Sequence, residues 1–179
     1  VDVKEISRLM QRSLLPSEAP RISGFDIAAG TNLDEGGVGR TVWDHFLLRD
    51  GRVGLAVLNV QGEGLPPGHY LVLIRGFLRE LSRDQEGLAD LLARVNSGVA
   101  AALVEGMEQF VEAGVLLPSS RGVEWAGMGR CPGAVLRRNG VLEEFSSNGP
   151  PLGMLEGFRY GTQRIDMGAG DAVIVLSEA

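Results

Sequence analysis

The sequence predicts an α+β fold in which helices cover sheets that are largely antiparallel. Two observations support this prediction. Apolar runs of strand length stand before and after two stretches of helical periodicity, and Gly, Pro, Asn and Ser separate the runs of the second half. With 179 residues the chain has a size at which one domain with one core is expected. We therefore expect residues 1–179 to form a single domain.

The first third of the chain is predicted to contain a helix followed by three strands. Apolar residues recur at helical spacing over residues 3–15, and prolines end that pattern. Strands are predicted at residues 25–31, 41–48 and 52–60. Residues 49–51, Arg-Asp-Gly, are a turn signal, so the last two of these strands should pair as an antiparallel hairpin.

The middle of the chain is predicted to be helical and the remainder to return to strands. Apolar residues with a period of 3.6 predict helices at residues 67–81 and 88–103, with Asp84 as the N-cap of the second. Short apolar runs on turn residues then predict strands at residues 110–117, 122–127, 134–138, 141–145, 160–167 and 172–176.

Composition and charge exclude several classes of protein. The net charge is −6 and Lys and Arg form no cluster, which argues against a nucleic-acid binder or a binder of anionic membranes. No apolar run approaches the roughly 18 residues of a membrane span. Cys131 is the only cysteine, so no intrachain disulfide can form and a reducing, cytoplasmic setting is the simplest interpretation. Because the sequence begins at Val1 without Met, we expect it to be part of a longer protein.

Histidine, cysteine and turn aspartates do not indicate a site by themselves. His45 and His69 are the only histidines and show no metal-binding spacing. Cys131 lies in a glycine-rich turn and is interpreted as a buried structural thiol, since a nucleophile needs a nearby base. Asp50 and Asp171 each stand beside a glycine in a predicted turn, where a structural role is expected.

The turn that contains Gly62 and Gly64 joins a predicted strand to a predicted helix. Free backbone N–H groups and the helix dipole can receive an anion there, or a carbonyl can lie beside a metal. A tight turn needs glycines whether or not it binds a ligand, so a ligand site and a purely structural turn both stay open.

Seven short segments follow one another in an order typical of one protein family. They are residues 10–16 (Met-Gln-Arg-Ser-Leu-Leu-Pro), 24–29, 42–46, 59–64, 92–96, 148–153 and 168–172. Together they resemble the sporulation-protein-E-like phosphatases, a bacterial branch of the metal-dependent (PPM, protein phosphatase 2C-like) serine/threonine phosphatases. The resemblance covers essentially the whole chain. It implies an α-β-β-α sandwich of two mainly antiparallel sheets flanked by helices.

The resemblance also implies where a metal site would lie. In active relatives, aspartates at a few of these turns and a backbone carbonyl hold two Mg or Mn ions, which generate the hydroxide that attacks a phosphoserine or phosphothreonine. At the matching positions this chain has Thr41 preceded by Arg40, Asn59 followed by Val60, and Glu178. Two of three carboxylates are thereby replaced by neutral groups, although hard cations prefer anionic oxygen ligands. Asp44 matches a family aspartate that lies outside the metal shell.

The function implied is that of a pseudophosphatase or regulatory domain in bacterial partner-switching signal transduction. It would act in the cytoplasm on a protein partner and without a cofactor. The helix at residues 3–15 is implied to be its regulatory element and a contact in a homodimer. The alternative is a weak protein phosphatase that uses Mn or Mg, depends on Glu178 and acts on an anti-sigma-factor antagonist.

Two further alternatives stay open. An alignment shifted by a few residues would let Asp34 or Glu35 supply the first carboxylate. The altered pocket would otherwise bind an anion without cleaving it, through Arg40, Arg130 (in place of a family histidine) and the turn at residues 62–64, because arginine can hold a phosphate in a bidentate fork.

Overall fold

Two antiparallel sheets and two helices make up the part of the chain that the computed structural model describes, which is residues 9, 13–31, 40–61, 67–103 and 109–177. The elements are β1 (Thr41–Leu47), β2 (Val53–Gln61), α1 (Pro67–Leu81), α2 (Leu88–Ala102), β3 (Phe110–Ser119), β4 (Gly122–Met128), β5 (Gly133–Leu136), β6 (Leu142–Phe145), β7 (Gln163–Ile165) and β8 (Ala172–Val175). One sheet has the order β1-β2-β3-β4-β7 and the other the order β6-β5-β8. The α+β prediction is confirmed.

The β1–β2 hairpin forms as its turn residues predict. Gly51 has a φ of 86°, a conformation that glycine adopts without the strain of a Cβ. The Leu48 N–H donates to the Arg52 carbonyl at 2.9 Å, and the Asp50 carboxylate accepts from the Arg52 backbone N–H at 3.0 Å. Asp50 therefore has the structural role that its place in the turn indicates.

The two helices bury apolar stripes against one face of the five-stranded sheet. Each stripe follows the spacing of three or four residues that places side chains on one helix face. Its buried members are Tyr70, Leu71, Ile74 and Leu78 on α1, and Leu88, Leu91, Leu92, Val95 and Val99 on α2. They pack on side chains of β1 to β4 in the larger of two cores. The prediction that Asp84 caps α2 is wrong: Asp84 ends a 3-10 turn, and Gly87 stands at the N-cap without a side-chain hydrogen bond.

A second core fills the space between the two sheets. Trp125 is fully buried there, its ring lies 4.9 Å from the ring of Phe145, and its Nε1 donates to the Ser146 carbonyl at 3.3 Å. Cys131 and Val135 belong to the same cluster. Strands β5, β6 and β8 thus cover part of the face of the five-stranded sheet that lies opposite the helices.

One buried polar side chain joins two of the segments on which the family resemblance depends. Asn96 of α2 is fully buried, and its Oδ1 accepts from the Gly153 N–H at 2.8 Å while its Nδ2 donates to the Leu155 carbonyl at 2.9 Å. Gly153 has a φ of 82°, and a Cβ there would come within 2.6 Å of Leu103. Asn96 therefore holds this loop through its hydrogen bonds, whereas the positive φ and the close approach of Leu103 require a glycine at position 153.

Two sequence predictions do not match the elements, and a third lies mostly outside the described residues. Residues 25–31 run without a strand partner, apart from an isolated bridge between Ile22 and Phe25, so the predicted strand is wrong. Within 160–167 only Gln163–Ile165 forms a strand. Most of the predicted helix at 3–15 lies outside the described residues, although residues 9, 13 and 14 are helical. No helix among the described residues is long and apolar enough to cross a membrane.

Candidate functional site

A row of polar side chains crosses the five-stranded sheet near the start of β1. Thr41 of β1 pairs with Asn59 of β2, and Asn59 pairs with Glu112 of β3. Their neighbours Val42 and Val111 lie in the core under the helices. Because side chains alternate along a strand, the polar row faces the other sheet. Asn59 and Glu112 are each only 2% exposed.

The Glu112 carboxylate is surrounded by N–H donors. Its Oε1 accepts from the Arg130 backbone N–H at 3.0 Å, and its Oε2 accepts from Gln61 Nε2 at 3.1 Å and from Asn59 Nδ2 at 3.4 Å. The guanidinium Nε of Arg130 lies 3.5 Å from Oε1. A buried charge is costly unless it is paired and hydrogen-bonded, and these contacts meet that condition.

The hydroxyl of Thr41 continues the network on the other side of Asn59. Thr41 Oγ1 donates to Asn59 Oδ1 at 3.2 Å, and Ser177 Oγ donates to Thr41 Oγ1 at 3.4 Å. The amide of Asn59 is therefore oriented by two neighbours, with its oxygen toward Thr41 and its nitrogen toward Glu112. The row links β1, β2, β3 and the residue that follows β8 by two positions.

Val60 and the two arginines lie around this row. The side chain of Val60 is buried in the core under the helices, and its backbone N–H donates to the Arg40 carbonyl at 2.9 Å. Arg40 precedes β1 and Arg130 follows β4, so three strand spacings, about 14 Å, separate their backbones. The structure thus brings both arginines to one end of the sheet. Their convergence on one anion stays a prediction.

Asp44 lies on the opposite face of β1, under α1. Its carboxylate is buried and accepts from Arg75 Nε at 2.6 Å, from Arg79 Nε at 2.8 Å and from Arg79 Nη2 at 2.7 Å. These contacts tie α1 to β1. They place Asp44 outside the polar row, as the family resemblance implies.

The thiol of Cys131 is buried beside the end of β8. Its Sγ donates to the Leu176 carbonyl at 3.2 Å. Burial, and in smaller part the charge of Glu112, raises the pKa of this thiol to about 12. A thiol that stays protonated is a poor nucleophile. The interpretation of Cys131 as a buried structural thiol is confirmed.

Several residues singled out in the sequence lie outside the described residues. They are Gly62 and Gly64 of the strand-to-helix turn, Asp34 and Glu35 of the loop before β1, and Glu178. Their roles stay predictions.

The sequence analysis did not single out Glu112, which is the charged centre of the row. A signal for it exists in the sequence: Glu112 is the one charged residue in the strand Phe110–Ser119. A lone carboxylate within a strand buried on both faces must have partners. Which partners it has depends on β2 and on the segment after β4, and no local pattern contains that information.

Comparison with known proteins assigns this chain to a family. The profile of the Stage II sporulation protein E (SpoIIE) family matches residues 49–178. No curated protein gives a significant match.

Solved structures agree with the family assignment at the level of the fold. The PP2C phosphatase domain of SpoIIE from Bacillus subtilis is 14% identical with a TM-score of 0.60, over 76% of this chain and 40% of that chain. The RsbU and RsbW domains of Rv1364c from Mycobacterium tuberculosis are 21% identical with a TM-score of 0.57, over 79% and 40%. The catalytic domain of the serine/threonine phosphatase PstP, in complex with two manganese ions, is 18% identical with a TM-score of 0.56, over 74% and 69%.

These comparisons differ in what they establish. Identities this low show the fold alone, and this chain spans only 40% of the Bacillus and Mycobacterium chains. The profile match, in contrast, covers more than half of this sequence. The chain belongs to the SpoIIE family and has the fold of PP2C-type phosphatases.

Proposed function

We propose that this domain is a regulatory pseudophosphatase that acts by binding a protein partner rather than by metal-dependent hydrolysis. One observation carries the proposal. At Thr41 and Asn59, where the family resemblance would place two metal-binding aspartates, neutral side chains bond to each other and to a buried carboxylate, Glu112.

The chemistry of this donor set is a poor fit to two divalent cations. The oxygen of Asn59 already accepts from Thr41, and both oxygens of Glu112 already accept from N–H groups. Mn and Mg prefer anionic oxygens, and a two-ion site needs several of them. A cation at the row would also meet the guanidinium of Arg130, which lies beside Glu112. The described residues therefore support binding without metal chemistry.

A protein partner in partner-switching signalling is the part of the proposal that rests on the family. The similar structures include the RsbU and RsbW domains of one Mycobacterium tuberculosis protein. We place this chain in such a pathway in the cytoplasm, as a regulatory domain. The segment at residues 3–15 is the proposed coupling element and dimer contact. Leu14 near its end is 7% exposed and belongs to the core under the helices, so a movement of that segment would reach the core.

Titration with MnCl₂ by calorimetry, together with hydrolysis of p-nitrophenyl phosphate, tests the absence of a metal site. The wild-type chain is expected to show neither sub-millimolar Mn binding nor metal-dependent turnover. The double variant Thr41→Asp/Asn59→Asp, which restores the two carboxylates, is expected to bind Mn more tightly than the wild type. Sub-millimolar binding or clear turnover by the wild type would refute the proposal.

Weak metal-dependent phosphatase activity is the second candidate, and Glu112 is the observation that favours it. This glutamate adds one carboxylate beside the positions of the family's metal ligands, and Glu178 would add another. In that case hydrolysis of a phosphoserine peptide would require Mn or Mg. The substitutions Glu112→Gln and Glu178→Ala would each abolish it, whereas unchanged rates in both variants would exclude this candidate.

A further inference from the structure

We propose that Asn139, in the turn between β5 and β6, is a site of spontaneous covalent modification, at which loss of the side-chain amide converts asparagine to aspartate or isoaspartate. The sequence contains two Asn-Gly pairs, at residues 139–140 and 148–149. An asparagine before glycine is prone to this reaction, because glycine has no Cβ to hinder the approach of its backbone nitrogen to the asparagine side chain. The surroundings of the two pairs differ, and only the first leaves the reaction open in the folded chain. This inference goes beyond the proposed function and does not depend on it.

The reaction consumes water and no other reactant. The backbone nitrogen of Gly140 gives up its proton to solvent and forms a bond to Cγ of Asn139. The bond from Cγ to Nδ2 breaks, and Nδ2 takes up a proton and leaves as ammonia. Water then opens the succinimide ring at one of its two carbonyls. Opening at Cγ gives aspartate, whereas opening at the backbone carbonyl gives isoaspartate, whose main chain runs through Cβ and Cγ.

The turn that contains Asn139 is exposed and is closed by local bonds. Residues 138–141 are all exposed. Gly140 has a φ of 87°, and its N–H donates to the Arg137 carbonyl at 2.8 Å. That bond must open before the nitrogen can attack. Exposed loop tips open locally at a small part of the free energy of global unfolding, so the attacking nitrogen becomes available without unfolding of the domain.

The side-chain amide of Asn139 is polarised on its oxygen and unbound on its nitrogen. Its Oδ1 accepts from the Val141 backbone N–H at 3.1 Å. A donor at this position stabilises the negative charge that develops on the oxygen when Cγ is attacked. Among the described residues Nδ2 has no hydrogen-bond partner, so no protein group holds the leaving nitrogen.

The amide of Asn148, in contrast, is bound at both ends to distant segments. Its Oδ1 accepts from the Gly127 N–H at 3.0 Å, and its Nδ2 donates to the Gly161 carbonyl at 2.6 Å. The backbone N–H of Asn148 also donates to the Gly127 carbonyl at 3.1 Å. The next residue, Gly149, is packed so closely that a Cβ there would lie 2.6 Å from the ring of Tyr160. Attack at Asn148 therefore requires the separation of β4 from this segment, a much larger opening than that of the turn at Asn139.

The two products have different effects on the hairpin. Aspartate keeps the main chain and an oxygen that accepts from Val141. Isoaspartate adds one atom to the main chain between two paired residues, Arg137 and Val141, whose N–H···O bond is 2.8 Å long. The guanidinium of Arg137 also donates to the Asp166 carbonyl at 2.7 Å and to the Asp171 carboxylate at 2.9 Å. Isoaspartate at position 139 therefore weakens both the hairpin and its attachment to residues 166–171.

The test incubates the 179-residue chain at mildly alkaline pH, once folded and once in urea. Digestion with a glutamate-specific protease separates the two asparagines, because Glu143 and Glu144 lie between them. Mass spectrometry then follows the gain of about one dalton at each site, and chromatography separates aspartate from isoaspartate. In urea both sites should react at similar rates. In the folded chain Asn139 should react at least about tenfold faster than Asn148, since the two sites need openings of different free energy.

Two variants serve as controls. Asn139→Gln should abolish the mass gain in this peptide, and Asn139→Asp, which has the normal main chain, should keep the thermal midpoint of the fresh wild type. The isoaspartate form should unfold at a lower temperature than Asn139→Asp.

Three results would overturn the proposal. They are equal rates at Asn139 and Asn148 in the folded chain, no gain at Asn139 in the folded chain after the chain in urea has reacted completely, and a gain at Asn139 without isoaspartate. The rates are measured on the wild type, so these outcomes do not depend on how well either variant folds.

Discussion

Substitution of Glu112 by alanine tests whether its hydrogen-bond network holds the polar row together. The carboxylate accepts from the Arg130 backbone N–H, from Gln61 and from Asn59. Asn59 is 2% exposed, so its Nδ2 would lose the Glu112 oxygen without gaining water in exchange. A buried donor without an acceptor costs about 1–3 kcal/mol. Gln61 is half buried and Arg130 is exposed, so water replaces part of the bonds that these two residues lose.

The expected loss in the free energy of unfolding is about 3 kcal/mol for Glu112→Ala. That value adds the full penalty at Asn59 to smaller losses, about 0.5–1 kcal/mol each, at the two partly exposed partners. Glu112→Gln should lose about half as much, since its remaining oxygen still accepts one N–H while its new amide group faces other donors.

Urea unfolding followed by circular dichroism measures these differences. The matched control is Glu144→Ala, because Glu144 is an exposed glutamate on β6, and a surface change of this kind should stay within about 0.5 kcal/mol. The slope of the free energy against urea should be unchanged in all variants. A loss for Glu112→Ala no larger than that of Glu144→Ala would refute the reasoning.

Three further predictions concern groups outside the row. Asp44→Ala should destabilise the fold by about 3 kcal/mol in the same urea assay, because Arg75 is left without its buried partner. This loss should be larger than the loss for Arg79→Ala, because the Arg79 side chain is 44% exposed. A larger loss for Arg79→Ala would contradict the prediction. The Cys131 thiol, with a pKa raised to about 12, should resist iodoacetamide in the native chain near neutral pH and react after unfolding, so rapid native labelling would contradict its burial. Hydrogen bonds from the Gly168 and Arg138 N–H groups and from Arg137 lower the pKa of Asp171 from 3.8 to about 2. The stability that these bonds contribute is present above pH 3.8 and is lost as the pH falls toward 2. Asp171→Asn should therefore flatten the decline of the thermal midpoint in that window, and an unchanged slope would count against the prediction.

The elements that the sequence predicted well are those whose signals are local. The hairpin at residues 49–51 depends on three adjacent residues, and the bounds of α1 and α2 agree with the prediction within one residue. In α2 the predicted cap at Asp84 was wrong, because the chain inserts a 3-10 turn before Gly87. Cap position depends on the path of the backbone between two helices, which periodicity does not report.

The predicted strand at residues 25–31 shows a different kind of limit. Phe25, Ile27 and Thr31 are half buried, but Ala29, which a regular alternation would also bury, is exposed. A strand, however, is defined by hydrogen bonds to a neighbour, and the described residues supply none to residues 26–31. Pattern alone cannot distinguish a paired strand from an extended segment that lacks a strand partner among the described residues.

For the candidate site, the sequence by itself determined which ligand types are present. Thr41 and Asn59 stand where the family resemblance expects aspartates, and that loss of charge is independent of any coordinates. Only the tertiary structure decided what these side chains do instead. Asn59 and Glu112 are 53 residues apart in the chain, and the pairing of β2 with β3 brings them into contact.

The same division holds for the fold as a whole. Periodicity determines which face of each helix or strand is apolar, because the hydrophobic effect acts on every residue according to its own side chain. Hydrogen bonds between buried polar groups are directional and short, so they depend on register and on the packing of distant segments. The sequence therefore determined the family and the neutral residues at the positions where the resemblance expects aspartates, while the buried Glu112 network was decided by the assembled sheets.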